Sequence, residues 1–470
     1  MIREVLIGCF LAGASASMLR EVYKNRPIQS GPQQTKKGPG EALFLTPFIE
    51  DHQYDLAKEL SKVGPINGVN IPSYAGYFTV NKTTESNMFF WFFPALNEDA
   101  NAPTLLWLQG GPGGSSLFGL FVEHGPLEIT ADQFAKLRKT TWAAKFNLLY
   151  IDNPVGTGFS FTKHDEGYVT NQSEVGRDLF EALNQFFTVF SEYANNDFYV
   201  TGESYAGKYV PAVAYTIHKN QDKAKMKLKG IAIGDGLCDP VTMLDYGDFL
   251  QSIGLLDDAQ ADHFRSEQAR AKAFIEKEDW RNAFLIFDQL LNGDKLPNGT
   301  LPYFRQITGL NFYYNYLLTK EPASFGYYNA FVQSEKTRAA IHVGNLTYND
   351  GSVVETKLEN DVMKSVKPWI AELMEHYKVM IYNGQLDIII AYPLTASFVK
   401  SIEWSGANDL SGAERIVWKS LKTGEPAGYV RKVRNFTEVM VRNAGHILPY
   451  DQPDNALDMI DRFVNDKPFN

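Results

Sequence analysis

The 470-residue sequence has only two cysteines, Cys9 and Cys238. Two thiols cannot assemble a zinc ribbon, an iron–sulfur site or a CxxC redox pair. Cys9 lies in the first apolar run, so loss of that run would leave one thiol and no internal disulfide. Cys238 reads as a small buried residue. Basic charge is scarce: 45 Lys and Arg stand against 55 Asp and Glu, a net charge of −10. A general nucleic-acid binder shows the opposite balance, and no nucleic-acid partner is expected. No apolar run reaches the roughly 20 residues that span a bilayer, and there is no internal repeat. With 44% hydrophobic and 13% aromatic residues, the chain is neither disordered nor fibrous. Its length suits one large core with an insertion as well as several small domains.

The N-terminus reads as an export signal over residues 1–16: Arg3 begins it, Val5 to Ala12 are apolar, and Ala14-Ser15-Ala16 is a small-x-small cleavage pattern before Ser17. Five N-x-S/T sequons, at Asn81, Asn171, Asn298, Asn345 and Asn435, are candidate glycosylation sites and agree with secretory entry. The expected location is the secretory pathway, lysosomal or extracellular. Residues 17–45 begin with a stretch rich in Pro, Gly, Gln and Lys and read as a flexible arm.

Short apolar runs then recur, each ending in a turn of small or polar residues. Thr104–Leu108 leads into Gly110-Gly111, Leu148–Ile151 into Asp152-Asn153-Pro154, and Phe198–Thr201 into Gly202. Ile231–Ile233 leads into Gly234-Asp235-Gly236, Val379–Tyr382 into Asn383-Gly384, and Val439–Val441 comes just before Asn443-Ala444-Gly445. Such runs suit parallel strands buried on both faces. Val175, Leu179, Leu183, Phe186 and Phe190 mark one face of a helix between two of them. The alternation predicts an α/β fold with a mostly parallel central sheet and helices on both faces. Its first part is expected over residues 46–240 and its second over 326–470. Between them, 241–325 read as a helical cap with Trp280, Phe284, Phe287 and Leu290 on one stripe.

Ligands of such folds sit at the carboxyl ends of strands. Ser204, in Gly202-Glu203-Ser204-Tyr205-Ala206-Gly207, follows one strand and opens a helical stretch, the context that exposes a nucleophilic serine. Serine needs a base and an acid to orient it. Asp387 and His446 follow later strands in the order Ser, Asp, His. The glycines of Gly110-Gly111-Pro112-Gly113-Gly114-Ser115-Ser116 suit an oxyanion loop. A dinucleotide loop would need a third glycine where Ser116 stands.

Four blocks resemble the serine carboxypeptidase family, most closely its vitellogenic-like branch: Trp107 to Ser116, Asp152 to Ser160, Gly202 to Pro211, and Asn443 to Pro453. The resemblance runs from about residue 70 to the C-terminus and implies an α/β-hydrolase fold. It also implies a serine-type carboxypeptidase that releases C-terminal residues from peptides and proteins at acidic pH through an acyl-enzyme. Neither metal nor organic cofactor is implied, and the partners are peptide C-termini. Ser204 would be the nucleophile, His446 the base and Asp387 its orienter. Gly111 and Tyr205 would form the oxyanion hole, and Gln109, Gly110, Glu123 and Glu203 would hold the substrate carboxylate. The chain departs from the family at Gln109 (usually Asn), Gly114 (usually Cys), Lys208 (often His) and Ile447 (often Met). Some relatives transfer the acyl group to an alcohol. An acyltransferase and a noncatalytic binding or storage protein are the alternatives.

Overall fold

A computed structural model describes residues 38–297 and 299–470. The export signal, residues 17–37 of the arm, and Asn298 lie outside the described residues. Ten strands form the main sheet: β1 Tyr74–Asn81, β2 Ser86–Phe93, β3 Thr104–Leu108, β4 Asn147–Ile151, β5 Asp197–Glu203, β6 Lys227–Gly234, β7 Lys378–Gly384, β8 Ile416–Lys419, β9 Pro426–Val433 and β10 Phe436–Val441. Their spatial order is β1-β2-β4-β3-β5-β6-β7-β10-β9-β8. The six strands from β4 to β10 run parallel. Antiparallel strands flank them at both ends. The fold is the expected α/β-hydrolase architecture, and each apolar run singled out in the sequence lies inside a parallel strand.

Packing explains the flanks. All eight residues of β2, SNMFFWFF, are buried. Phe90 and Phe92 meet Phe186 edge-on at centroid distances of 6.0 and 5.0 Å, against helix α1, Gln172–Val189. The five apolar residues expected on one helix face are all fully buried. Asn171 caps this helix by accepting a hydrogen bond from the Glu174 N–H at 3.1 Å. Asn345 and Asn435 are exposed, whereas Asn81 and Asn171 are half-buried. Residues 43–45, read from sequence as the end of the flexible arm, lie along the sheet edge, where the Leu45 N–H donates to the Tyr77 carbonyl at 2.8 Å.

Between β6 and β7 the described residues add no strand to the main sheet. Helix α2, Ala206–Lys219, joins β5 to β6, whereas α3, Asp258–Glu276, and α4, Trp280–Phe287, lie between β6 and β7. Phe284, Phe287 and Leu290 are buried and Trp280 is half-buried. The helical course continues beyond residue 325 to Lys367–His376, immediately before β7. Cys238 is buried, donates its S–H to the Gly207 carbonyl at 3.4 Å, and has its thiol pKa pushed up by burial. No helix among the described residues is long and apolar enough to cross a membrane.

The core holds several carboxyls at raised pKa. Burial pushes Asp152 up to about 7 and Glu123 up to about 8. Burial raises Glu203 and Asp235 strongly as well. Unfolded, all four ionise near pH 4. A carboxyl raised in the folded state binds more protons there, so stability falls as pH rises through the folded pKa. Burial lowers the pKa of His124, His218 and His342, which opposes this trend only below about pH 6.5. Thermal melting of the purified protein should therefore rise by about 3 °C or more between pH 8 and pH 6.5. Calorimetry at constant ionic strength reads the shift.

Candidate active site

Ser204 stands between β5 and α2 with φ +64°, a left-handed conformation that is strained for a residue with a side chain. The turn is held on both sides. The Ser204 N–H donates to the Gly234 carbonyl at 3.1 Å, and its own carbonyl accepts from Gly207 at 2.9 Å and Leu237 at 3.0 Å. Small neighbours make the turn possible. A Cβ at Gly207 would stand 2.7 Å from the Leu237 nitrogen, and one at Gly202 would stand 2.5 Å from the Leu108 carbonyl oxygen. Ala206 occupies the helix start, where a larger side chain would press on Gly202.

The loop after β3 packs directly on this turn. A Cβ at Gly110 would stand 2.6 Å from both the Ser204 Cβ and the Tyr205 nitrogen. Gly111, at φ +117°, lines one cleft with Ser204 and Tyr205. Phe284 and Phe287 of the helical stripe line the same cleft, with Leu237, Ile389 and Ile390.

Asp387 and His446 meet as the sequence order predicts. His446 Nδ1 and Asp387 Oδ2 are 2.7 Å apart, and both side chains are fully buried. A carboxylate there fixes Nδ1 as the donor and leaves Nε2 to accept a proton. Nε2 is buried and has no hydrogen-bond partner among the described residues. Tyr314, from the long connection, stacks on the imidazole at 4.4 Å, and its carbonyl accepts the His446 N–H at 2.6 Å.

The four residues assigned to the substrate carboxylate also gather. The Trp107 indole N–H donates to Gln109 Oε1 at 2.8 Å. That fixes the amide so that Nε2 donates to Glu203 Oε1 at 2.7 Å. Glu123, on the short helical turn Gly119–Glu123, is fully buried beside Glu203 and Gln109. Burial raises the Glu123 pKa, while interaction with Glu203 and Gln109 and the charge of Arg138 act against the rise. Burial and the neighbouring Glu123 charge hold Glu203 well above the usual carboxyl range. Arg138 anchors the backbone around Glu123, donating to the carbonyls of Gly125 at 2.9 Å, Phe121 at 2.5 Å and Leu127 at 3.2 Å.

Three side chains in this region escaped the residue-level reading. Asp152 joins two of the blocks: Oδ1 accepts from Ser115 Oγ at 2.5 Å and Ser116 N at 3.1 Å, while Oδ2 accepts from Phe159 N at 2.8 Å. It ties the glycine loop to the 152–160 turn. Its place after a strand was visible, but its partners were not. Asp235 was visible only as a turn residue between two glycines. Tyr314 carried no signal, since stacking across 132 residues of chain leaves no local pattern.

Comparison with known proteins places these features. The sequence profile described as "Serine carboxypeptidase" matches residues 64–466. The human protein named "Probable serine carboxypeptidase CPVL" is 50% identical over 461 residues, covering 97% of this chain and 95% of that one. The "Venom serine carboxypeptidase" of Apis mellifera is 50% identical over 434 residues, 92% of each. The "Vitellogenic carboxypeptidase" of Aedes aegypti is 40% identical and covers 98% of each. Among solved structures, a prohormone-processing carboxypeptidase from Saccharomyces cerevisiae superposes with a TM-score of 0.74 at 25% identity, covering 87% of this chain and 96% of that one.

Gly110 offers a test of the packing. With an alanine there, the new methyl group must displace backbone at Ser204 and Tyr205. Gly110→Ala should lower kcat by roughly 10²-fold with the fold retained, the scale of losing one oxyanion donor. Steady-state kinetics with circular dichroism checks this.

Proposed function

Because this chain belongs to the serine carboxypeptidase family, and so releases C-terminal residues from peptides through an acyl-enzyme, we propose that Ser204, His446 and Asp387 carry out its chemistry. The observation behind this assignment is the buried His446–Asp387 pair, at the same sheet edge as a strained serine turn. His446 Nε2 takes the Ser204 proton as Oγ attacks the carbonyl carbon of the last peptide bond. The oxyanion accepts hydrogen bonds from the Gly111 and Tyr205 N–H groups, the latter at the start of α2, where the helix dipole favours negative charge. As the C–N bond breaks, the imidazolium returns its proton to the leaving amine. Water then attacks the Ser204 ester, His446 takes its proton and passes it to Ser204 Oγ, and the shortened peptide leaves as an acid.

The leaving residue carries a free carboxylate. Gln109, the Gly110 N–H, Glu123 and Glu203 bind it, with a glutamic acid O–H as the key donor. A carboxylic acid donates to an anion, whereas a carboxylate repels it. Recognition is thus lost as pH rises through the pair's titration. Burial places that loss far above the ordinary glutamate range, with Glu123 near 8. His446 must be neutral to act as base. The sequence implied an acidic optimum; the raised pair lets the working range extend toward neutrality. The helical segment 241–325 acts as a cap that sets preference through Phe284 and Phe287 in the cleft. The exposed sequons at Asn345 and Asn435 support a location in the secretory pathway, lysosomal or extracellular.

Removing a triad member should cost most of the turnover. Ser204→Ala and His446→Ala should each lower kcat by roughly 10³-fold or more with folding retained, and a fluorophosphonate probe should label the native protein but not Ser204→Ala. Near-normal turnover in either variant contradicts the assignment. Carboxylate recognition has its own readout. The kcat/KM of a peptide acid relative to its C-terminal amide should fall by about tenfold or more from pH 6 to pH 9, and Glu203→Gln should flatten the dependence. A ratio independent of pH contradicts the carboxyl pair.

A further inference from the structure

Asp235 directly follows β6 with φ +43°, fully buried, beside the residues assigned to the triad. Its oxygens have unlike surroundings. Oδ1 accepts from Asn383 Nδ2 at 2.9 Å and from the Gly384 N–H at 2.8 Å. Asn383 cannot turn its amide around, because its Oδ1 accepts from Thr395 Oγ1 at 2.5 Å and its Nδ2 also donates to the Ile390 carbonyl at 2.8 Å. Oδ2 is buried and has no hydrogen-bond partner among the described residues. One Asp235 oxygen, one Asp387 oxygen and one ring nitrogen of His446 all lie within 4.8 Å of one another.

Two carboxylates this close, both out of water, repel strongly. The titratable groups facing Asp235 are Asp387 from the turn after β7, Glu203 from β5, Tyr382 from β7 and His446 from the turn after β10. Apart from the imidazole, none of them carries a positive charge. A proton on Oδ2 removes the repulsion and turns the orphaned oxygen into a donor directed at Asp387. Burial first, then the Asp387 charge, push the Asp235 pKa up accordingly. Asp387 already accepts from His446 Nδ1 at 2.7 Å and from the Ile390 N–H at 3.3 Å.

We propose that Asp235 is a positioning residue for the triad, donating a carboxylic O–H to the Asp387 carboxylate that orients His446. This rests on the triad assignment above. The hydrogen bond holds Asp387 in place and spreads part of its negative charge, which limits how strongly Asp387 favours imidazolium. Asp235 therefore helps set the pH at which His446 becomes an effective base.

The experiment follows kcat and kcat/KM against pH with an ester substrate that has no free carboxylate, so that the Glu123–Glu203 pair does not gate the reaction. Asp235→Asn keeps an acceptor and replaces the O–H by an N–H donor. Its acid limb should coincide with that of the native enzyme. Asp235→Leu cannot donate. Its acid limb should move up by about half a pH unit or more, with kcat reduced and KM little changed. If Asp235 is instead a carboxylate in the working enzyme, Asp235→Asn removes a negative charge beside His446 and the acid limb moves down; that result overturns the proposal. An acid limb unmoved in a folded Asp235→Leu overturns it as well. Should the leucine variant fail to fold, the direction of the Asp235→Asn shift still decides. Ser204→Ala in each background separates the two levels: persisting turnover would remove the triad assignment itself, whereas a wrong-signed shift in a Ser204-dependent enzyme removes only the Asp235 hydrogen bond.

Discussion

The working edge of the sheet depends on carboxyls buried among neutral partners. Glu203 is held by Gln109, Asp152 by the Ser115 hydroxyl and the backbone N–H groups of Ser116 and Phe159, and Asp235 by Asn383 and Gly384. In water each would be an anion at neutral pH. Taken out of water without a cation, a carboxyl is cheaper to keep protonated than charged. Protonation changes what each can do: an acceptor becomes a donor. In the roles proposed above, that single change lets Glu203 and Glu123 face a negative substrate, and it gives Asp387 a donor for its remaining lone pairs. Function and stability then share one pH dependence, since the protons that complete the site also relieve the cost of burying it.

Geometry keeps this arrangement in register. The serine turn, the glycine loop and the His446 turn all close on one another through positions that tolerate no Cβ. Gly110 lies on Ser204, Gly207 on the backbone at Gly236 and Leu237, and Gly384 on the Gly445 carbonyl. Hydrogen bonds to Asp152 lock the loop at Ser115 and Ser116, and the Trp107 indole settles which way the Gln109 amide points. The Gln109 side chain is thereby committed to Glu203 before any peptide arrives. Preorganisation of this kind lowers the reorganisation needed during reaction.

Much of this architecture could be read from the residues. The parallel centre was legible because strands buried on both faces are near-continuous apolar runs, and their turns carry the groups proposed to react. The proposed triad rests on order and position: Ser204, Asp387 and His446 each come after such a run. The flanking antiparallel strands were not legible. β2 reads Ser-Asn-Met-Phe-Phe-Trp-Phe-Phe without alternation because α1 covers one face and the loops cover the other, so period-2 patterning is absent. Interactions that join distant segments left no trace either. Tyr314 on His446 and Asp235 on Asp387 come from separate elements, and a lone aspartate between two glycines reads as a turn until its partner is seen. The roles proposed for Gln109, Glu123 and Glu203 came from family resemblance, because spacing alone does not bring residues 109, 123 and 203 to one point.

The central claim is that the folded protein keeps buried carboxyls protonated at a pH where the unfolded chain does not. Infrared spectroscopy reads this directly, because the C=O stretch of a protonated carboxyl is separate from the bands of a carboxylate. At pH 6, well above the roughly 4 at which exposed carboxyls titrate, the folded protein should show a protonated-carboxyl absorption that disappears when the chain is unfolded at the same pH. A folded spectrum at pH 6 with carboxylate bands alone would contradict the account.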